Sequence, residues 1–123
     1  MSDKVKLMIV DDSSIIRKLI RKYLDEYNME IVGEASDGKA AVDLFKEKRP
    51  DIVTMDIVMP EMDGLSVIQE ILKIDPDVKI IAVTALSDKS TGIQAIKLGA
   101  KSFVTKPFSP DKLQAAFAKL ISN

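Results

Sequence analysis

Short runs of apolar residues alternate along the chain with longer stretches in which apolar residues recur at helical spacing. The short runs predict β-strands that are buried on both faces, because they are nearly continuous in apolar residues and rich in Val and Ile. The predicted strands, in chain order, are Val5–Val10, Met29–Ala35, Ile52–Met55, Val78–Val83 and Ser102–Thr105.

The stretch after each run predicts an amphipathic helix. The first helix has apolar residues at i, i+3, i+4, i+7, i+8 and i+11 from Ile16 to Tyr27. Ser13 or Asp12 can cap its start, because a short side-chain oxygen there accepts a hydrogen bond from a free backbone amide. The stripes of the second, third and last helices are Ala41, Leu44 and Phe45; Leu65, Ile68, Ile71 and Leu72; and Leu113, Ala116, Phe117, Leu120 and Ile121.

The fourth helix has the least support from the pattern. Its segment is rich in Ser, Thr and Gly, which are poor helix formers. Ile93 and Ile96 alone mark an apolar face, and Gly99 ends the segment.

Five strand–helix pairs predict an α/β fold, a doubly wound parallel sheet with helices on both faces. Right-handed crossovers leave few topologies for such a sheet. The chain has 123 residues, which is the size of one domain, so we expect residues 1–123 to form a single domain without a second output domain.

The composition excludes several kinds of chemistry. The chain has no His and no Cys, so an ordinary zinc site, a Ser–His or Cys–His nucleophile and a disulfide framework are all ruled out. Any chemistry must therefore use carboxylates, hydroxyls, lysines or a hard metal ion. With 18 Lys+Arg against 19 Asp+Glu, neither DNA nor an anionic membrane is an expected partner. The first residues are polar and no apolar run approaches about 18 residues, so we expect neither a signal peptide nor a spanning helix, and a cytoplasmic protein. We also expect a monomer.

Polar residues stand at the carboxyl ends of four predicted strands, where parallel sheets bind their ligands. They are the pair Asp11–Asp12, Asp56, Thr84 and Lys106. Taken singly, each has an ordinary interpretation as a helix cap, a turn residue, a strand residue or a surface lysine. Together, three carboxylates and one lysine sum to a charge of −2, so a divalent cation would relieve their repulsion.

Magnesium suits this edge better than calcium, because it binds through one or two carboxylates and keeps several waters. Beside it, a carboxylate such as Asp56 can act as a nucleophile toward phosphorus and form an aspartyl phosphate. The metal, the ammonium of Lys106 and the hydroxyl of Thr84 would each take one equatorial oxygen of the phosphoryl group.

These residues lie in four stretches, Leu7–Asp12, Asp51–Gly64, Ile80–Ala85 and Gly99–Phe108. In this order they resemble the receiver domain of bacterial two-component response regulators, and the size is that of the single-domain chemotaxis type. The resemblance covers essentially the whole chain. It implies a flavodoxin-like (βα)5 fold with strand order 2-1-3-4-5.

The resemblance implies that Asp56 takes phosphate, as 4-aspartylphosphate, from the phosphohistidine of a sensor histidine kinase or histidine phosphotransfer protein. Magnesium would be held by Asp11, Asp12, Asp56 and the backbone carbonyl of Val58. Lys106 would pair first with the acidic residues and then with the phosphoryl group, and its bond to Pro107 would be cis.

The resemblance also implies a switch. Thr84 would move toward the phosphate while Phe103 turns inward, and the fourth helix, fifth strand and fifth helix would form the output face. A simple core role for Phe103 is the alternative. Val58 and Leu86 are apolar where relatives often carry polar side chains, which predicts slow self-dephosphorylation.

Other functions stay open at this point. A haloacid-dehalogenase-like phosphatase would also form an aspartyl phosphate, but it would carry an Asp at position 58. A nucleotide-binding domain would need a Gly-rich phosphate loop, and none is present. A receiver that only docks would lack residues that this chain has. We therefore expect a signalling module that catalyses only its own phosphorylation and dephosphorylation. Its output is expected at the flagellar motor in chemotaxis, and the alternatives are a phosphorelay intermediate or another single-domain regulator. The basic residues of the first helix, Arg17, Lys18, Arg21 and Lys22, form either a solvated face or part of a kinase-docking surface.

Overall fold

Five parallel strands form the central sheet, and a helix follows each strand in the chain. The computed structural model describes residues 4–59, 63–85 and 87–121. The elements are β1 Val5–Val10, α1 Ser14–Tyr23, β2 Met29–Ala35, α2 Gly38–Lys48, β3 Ile52–Asp56, α3 Gly64–Ile74, β4 Lys79–Ala85, α4 Lys89–Leu98, β5 Ser102–Lys106 and α5 Pro110–Ile121. The strand order is β2-β1-β3-β4-β5, so the predicted α/β class and the strand order implied by the resemblance are confirmed.

The last three strands run further than their apolar residues predict. Asp56 still pairs with Val83, and Lys106 pairs with Ala85, so the polar residues at the strand ends belong to the ladder itself. This pairing fixes the direction in which each polar side chain leaves the sheet, because side chains alternate between the two faces of a strand.

The first helix is shorter than its apolar stripe. It ends at Tyr23, and Leu24 is its C-cap. Tyr27 lies in the turn that follows, and its ring is 4.9 Å from that of Phe117 in α5. The apolar spacing therefore continues beyond α1, because the turn places Tyr27 against the same core that α1 covers.

The sheet separates two hydrophobic cores. In β1, Met8 and Val10 face the core that is covered by α2, α3 and α4. Leu7 and Ile9 face the core that is covered by α1 and α5. Both faces are buried, which explains why the strands are continuously apolar rather than alternating. Within the described residues, no helix combines the length and apolar character that crossing a membrane requires.

The sequence prediction for the buried face of α4 is wrong. Ile93 and Ile96 are 50% and 39% exposed, whereas Gly92 and Ala95 are buried. The reason is the ring of Phe103 on β5. A Cβ atom added to Gly92 would lie 2.5 Å from Phe103 Cδ2, so only a side of α4 with small residues can approach the sheet.

Each of the five helices begins at a short polar side chain close to a strand end, which for α5 is Ser109. Ser13 accepts a hydrogen bond from the Ile16 amide at the start of α1, which confirms one of the two predicted caps. Asp37, Asp63 and Asp88 cap α2, α3 and α4 in the same way. These caps satisfy backbone amides that the first helical turn leaves without partners.

At Gly64, the backbone of α3 lies very close to the backbone that follows β3. A Cβ atom on Gly64 would lie 2.4 Å from Ile57 Cα, which is backbone and cannot move aside cheaply. We expect Gly64→Ala to lower the free energy of unfolding by about 1–3 kcal/mol, measured by urea denaturation. Gly33→Ala is the matched control, because its Cβ atom would meet only the flexible end of Leu44, and its loss should be smaller. Equal losses in the two variants would contradict the close approach.

Candidate acidic metal and phosphoacceptor site

The strand order brings the predicted polar residues to one edge of the sheet. Asp11 follows β1, Asp56 ends β3, Thr84 is the penultimate residue of β4 and Lys106 ends β5. These four strands are neighbours in the sheet. The carboxyl ends of parallel strands lie together, so residues that are far apart in the sequence meet here.

Three carboxylates form a cluster at this edge. One carboxylate oxygen from each of Asp11, Asp12 and Asp56 lies within 4.8 Å of the other two. Asp11 and Asp56 are buried, whereas Asp12 is exposed. The site is therefore open to solvent on the side of Asp12 and closed beneath it.

The ammonium of Lys106 lies between the two buried carboxylates. Its Nζ atom is 2.9 Å from Asp11 Oδ2 and 3.4 Å from Asp56 Oδ2. Burial alone would lower the pKa of Lys106, but the hydrogen bond and charge of Asp11, together with the charge of Asp56, raise it overall. Lys106 thus stays protonated and cancels one of the three negative charges.

The surroundings of Asp56 make its carboxyl group harder to ionise. Burial and the neighbouring Asp11 carboxylate raise the pKa of Asp56 from 3.8 to about 6, against the opposing effects of Lys106 and the Val58 amide. The Val58 amide donates to Asp56 Oδ1 over 3.1 Å. A bound cation would favour the ionised form of this carboxylate, because an opposite charge lowers the pKa of an acid.

The residues present fit a magnesium ion. Asp11 Oδ1 accepts a hydrogen bond from the Ser13 amide at 2.9 Å. Apart from its ion pair with Lys106, the buried Asp11 Oδ2 has no hydrogen-bond partner among the described residues. A cluster of carboxylate oxygens with a net negative charge, one buried atom short of partners, and an open side suits a small hard cation that keeps several waters.

Thr84 and Phe103, the two residues of the expected switch, both contact α4 or its cap. The buried hydroxyl of Thr84 donates to the backbone carbonyl of Asp88, the N-cap of α4, over 3.1 Å. Phe103 is partly buried, and its ring lies against Gly92 of α4. The hydroxyl and the ring are therefore linked to the same helix.

The Lys106–Pro107 peptide bond is cis, as the resemblance implies. Val58 is 61% exposed next to Asp56, and the slow dephosphorylation expected from its apolar side chain stays a prediction. Leu86, the other apolar position predicted to slow dephosphorylation, lies outside the described residues, as do residues 60–62 of the loop before α3.

Sequence reasoning missed the role of Arg17. It was assigned to a solvated or docking face of α1, but its side chain is only 18% exposed. Its Nε atom donates to Glu34 on β2, and its Nη1 atom donates to the backbone carbonyl of Asp11. The pattern along the chain carries no signal for this contact, because Arg17 lies on α1 and Glu34 on β2.

Comparison with known proteins agrees with this fold and site. Residues 7–118 match the family described as the response regulator receiver domain. The chain belongs to this family. It is 45% identical over 115 residues to the chemotaxis protein CheY of Thermotoga maritima, covering 94% of this chain and 96% of that protein. It is 43% identical to the chemotaxis protein CheY of Bacillus subtilis, covering 95% and 98%.

Solved structures share the architecture. The REC domain of AraT, a response regulator from Geobacillus stearothermophilus, superimposes with a TM-score of 0.89 at 35% identity, covering 96% of this chain and 93% of that one. CheY in the CheX-CheY-BeF3-Mg complex from Borrelia burgdorferi superimposes with a TM-score of 0.88 at 30% identity, covering 94% and 88%.

The raised pKa of Asp56 predicts a pH dependence of stability in the absence of divalent cations. The folded state holds this proton up to a pH of about 6, whereas the ordinary pKa is 3.8. The contribution of Asp56 to the free energy of unfolding is therefore present at low pH and lost as the pH rises from about 4 to about 6. We expect Asp56→Asn to lack this loss and to be more stable than wild type at pH 7.5 by about 1–3 kcal/mol.

The measurement is urea denaturation of both proteins in EDTA across this pH range. Asp43→Asn, which removes an exposed carboxylate on α2, is the control and should follow wild type. If the free energies of unfolding of wild type and Asp56→Asn differed by the same amount at every pH, the raised pKa of Asp56 would be contradicted.

Proposed function

We propose that this chain is a phosphoacceptor of a two-component system and that Asp56 receives the phosphoryl group. The observation that carries the proposal is the cluster of Asp11, Asp12 and Asp56, whose oxygens lie within 4.8 Å of one another, with the ammonium of Lys106 beside the two buried carboxylates. A nucleophilic carboxylate, an acidic cation site and a fixed positive charge are the parts that phosphoryl transfer needs.

The phosphate donor is a phosphohistidine of another protein. A carboxylate oxygen of Asp56 attacks phosphorus, the phosphorus–nitrogen bond breaks, and the imidazole nitrogen leaves with the electron pair. Since the chain contains no His, it cannot carry this donor itself. A sensor histidine kinase or a histidine phosphotransfer protein must bring the group to the exposed side of the site, next to Asp12.

Magnesium would be held by Asp11, Asp12 and Asp56, with the backbone carbonyl of Val58 as a further ligand. When bound, it neutralises the carboxylates and the charge on the phosphoryl oxygens. The chain's own contribution is to orient these ligands. The Ser13 amide holds Asp11 and the Val58 amide holds Asp56, so both carboxylates are directed before a cation arrives.

Lys106 and Thr84 respond to the phosphoryl group. Lys106 exchanges a carboxylate partner for a phosphoryl oxygen, which keeps its positive charge compensated. Thr84 leaves the carbonyl of Asp88 to donate to another phosphoryl oxygen, and this releases a contact at the start of α4. The ring of Phe103, which lies against Gly92, then turns inward and acts through packing, since it has no hydroxyl.

The output is delivered through the face formed by α4, β5 and α5. A groove of about 440 Å³ lies on this face, and its lining includes the apolar Phe103, Val104 and Ala116 together with Lys89 and Lys112. A downstream protein of the chemotaxis system, such as the flagellar motor switch, is the proposed target, because close relatives are chemotaxis proteins. The chain works as a cytoplasmic monomer without binding DNA.

The chain acts on no substrate other than its own phosphoryl group. An aspartyl-phosphate phosphatase would use a second carboxylate two residues after the nucleophile to protonate its leaving group. Val58 occupies that position, with its side chain exposed to solvent. Position 58 therefore gives Asp56 no acid–base partner for substrate turnover.

Acetyl phosphate tests phosphate acceptance directly. We expect wild type to gain one phosphoryl group in the presence of magnesium and none in EDTA, as measured by intact mass. Asp56→Asn should gain none, while the control Asp43→Asn should match wild type. The proposal is wrong if wild type gains no phosphate or if Asp56→Asn gains as much as wild type. Rapid turnover of a phosphomonoester such as p-nitrophenyl phosphate would favour an enzyme instead.

Val58 should set the lifetime of the phosphorylated protein. An amide at this exposed position can orient a water toward the phosphoryl group, and one such hydrogen bond is worth about 1 kcal/mol. We expect Val58→Asn to lose phosphate about fivefold faster than wild type, measured as release of inorganic phosphate. Val58→Leu keeps the position apolar and should retain the wild-type rate. An unchanged or slower rate in Val58→Asn would count against this role.

A further inference from the structure

Arg17 connects three elements beneath the acidic cluster. It lies in α1, its Nε atom donates to Glu34 Oε1 on β2 over 2.9 Å, and its Nη1 atom donates to the carbonyl oxygen of Asp11 over 2.5 Å. Glu34 is held in turn by Arg21, one turn further along α1. None of these side chains is one of the predicted ligands of magnesium.

The carbonyl that Arg17 binds belongs to the peptide between Asp11 and Asp12. A peptide is planar, so holding its oxygen restricts the positions of both neighbouring Cα atoms, from which the side chains of Asp11 and Asp12 extend. The other end of Asp11 is fixed as well, because its amide donates to the carbonyl of Ala35 at 3.0 Å. Asp11 and Asp12 both lie between β1 and α1, so the exposed carboxylate of Asp12 depends on this constraint too.

We propose that Arg17, held in place by Glu34, is a positioning residue that orients the Asp11–Asp12 peptide and so sets the affinity of the acidic cluster for magnesium. This inference rests on the proposed function, in which these two carboxylates hold the ion. Arg17 does not touch the ion or the phosphoryl group, and it acts only through the main chain of Asp11.

The chemistry of the contact requires Arg. The planar guanidinium directs its Nε and Nη1 hydrogens at two acceptors on different elements, and the rigid fork keeps the angle between them fixed. A Lys at position 17 would keep the charge but would present a single flexible ammonium. Glu34 balances the positive charge of Arg17, so the contact orients the peptide without adding a full uncompensated charge beside the site.

The low exposure of Arg17 separates this role from a docking role. With 18% of its side chain exposed and two of its donors engaged, Arg17 offers little to a partner protein. Lys18 and Lys22 on the same helix are exposed, so they provide matched controls that change the charge of α1 without disturbing the contact.

The test measures magnesium binding by calorimetry without a phosphate donor, together with thermal unfolding in EDTA. We expect Arg17→Lys to bind magnesium about tenfold more weakly than wild type, the size of effect that partners of metal ligands usually have. Glu34→Gln, which should fold even if Arg17→Lys does not, is expected to weaken binding about threefold. Lys18→Ala should bind as wild type does. If Glu34 acts through Arg17, the double variant should be no weaker than Arg17→Lys alone.

The outcomes separate the two proposals. Wild type that neither binds magnesium nor takes phosphate from acetyl phosphate would overturn the proposed function. Wild type that does both, with Arg17→Lys and Glu34→Gln equal to Lys18→Ala in magnesium affinity, would overturn only the positioning role. A loss of thermal stability in EDTA with unchanged magnesium affinity in the folded variants would make Arg17 purely structural and would also overturn it.

Discussion

The ammonium of Lys106 between the carboxylates of Asp11 and Asp56 is the contact on which the carboxyl edge of the sheet depends. Two buried carboxylates this close repel each other, and burial adds to the cost of ionising either one. The 2.9 Å and 3.4 Å approaches of Lys106 Nζ offset part of that repulsion. Burial and the charge of Asp11 outweigh the effect of Lys106, so the pKa of Asp56 is raised to about 6. The carboxyl edge of the sheet is thus stable enough to fold, although its three carboxylates still outnumber the one ammonium.

The topology explains how one lysine contacts both Asp11 and Asp56. Lys106 ends β5, while Asp56 ends β3 and Asp11 follows β1, with β4 between them in the sheet. Its long side chain extends past the end of β4, where its ladder partner is the small residue Ala85. Thr84, next to Ala85, keeps its hydroxyl on the carbonyl of Asp88. A change in the partner of Thr84 would therefore release a contact at the start of α4, a helix held to the sheet by small residues rather than large apolar ones.

The sequence was sufficient to predict the sheet, the two-sided burial and the edge at which the site lies. These features follow from local patterns, because a buried parallel strand is continuously apolar and its polar end marks the ligand-binding edge. The buried face of α4 could not be predicted, since the space beside Gly92 is set by the ring of Phe103 from another strand. The contact of Arg17 with Glu34 was missed for the same reason, because it joins α1 to β2. Strand order came from the resemblance to receiver domains rather than from the periodicity.

The central claim is that the edge organised by Lys106 receives a phosphoryl group on Asp56 beside a cation held by Asp11 and Asp12. The most direct measurement is a crystal structure of the protein with magnesium and beryllofluoride, an analogue of the phosphoryl group. The account predicts beryllium bonded to a carboxylate oxygen of Asp56, magnesium ligated by the acidic cluster, and Lys106 Nζ and Thr84 Oγ1 each against a fluoride. Beryllofluoride or magnesium bound elsewhere, with Lys106 still paired to Asp11 and Asp56 and Thr84 still on Asp88, would contradict it.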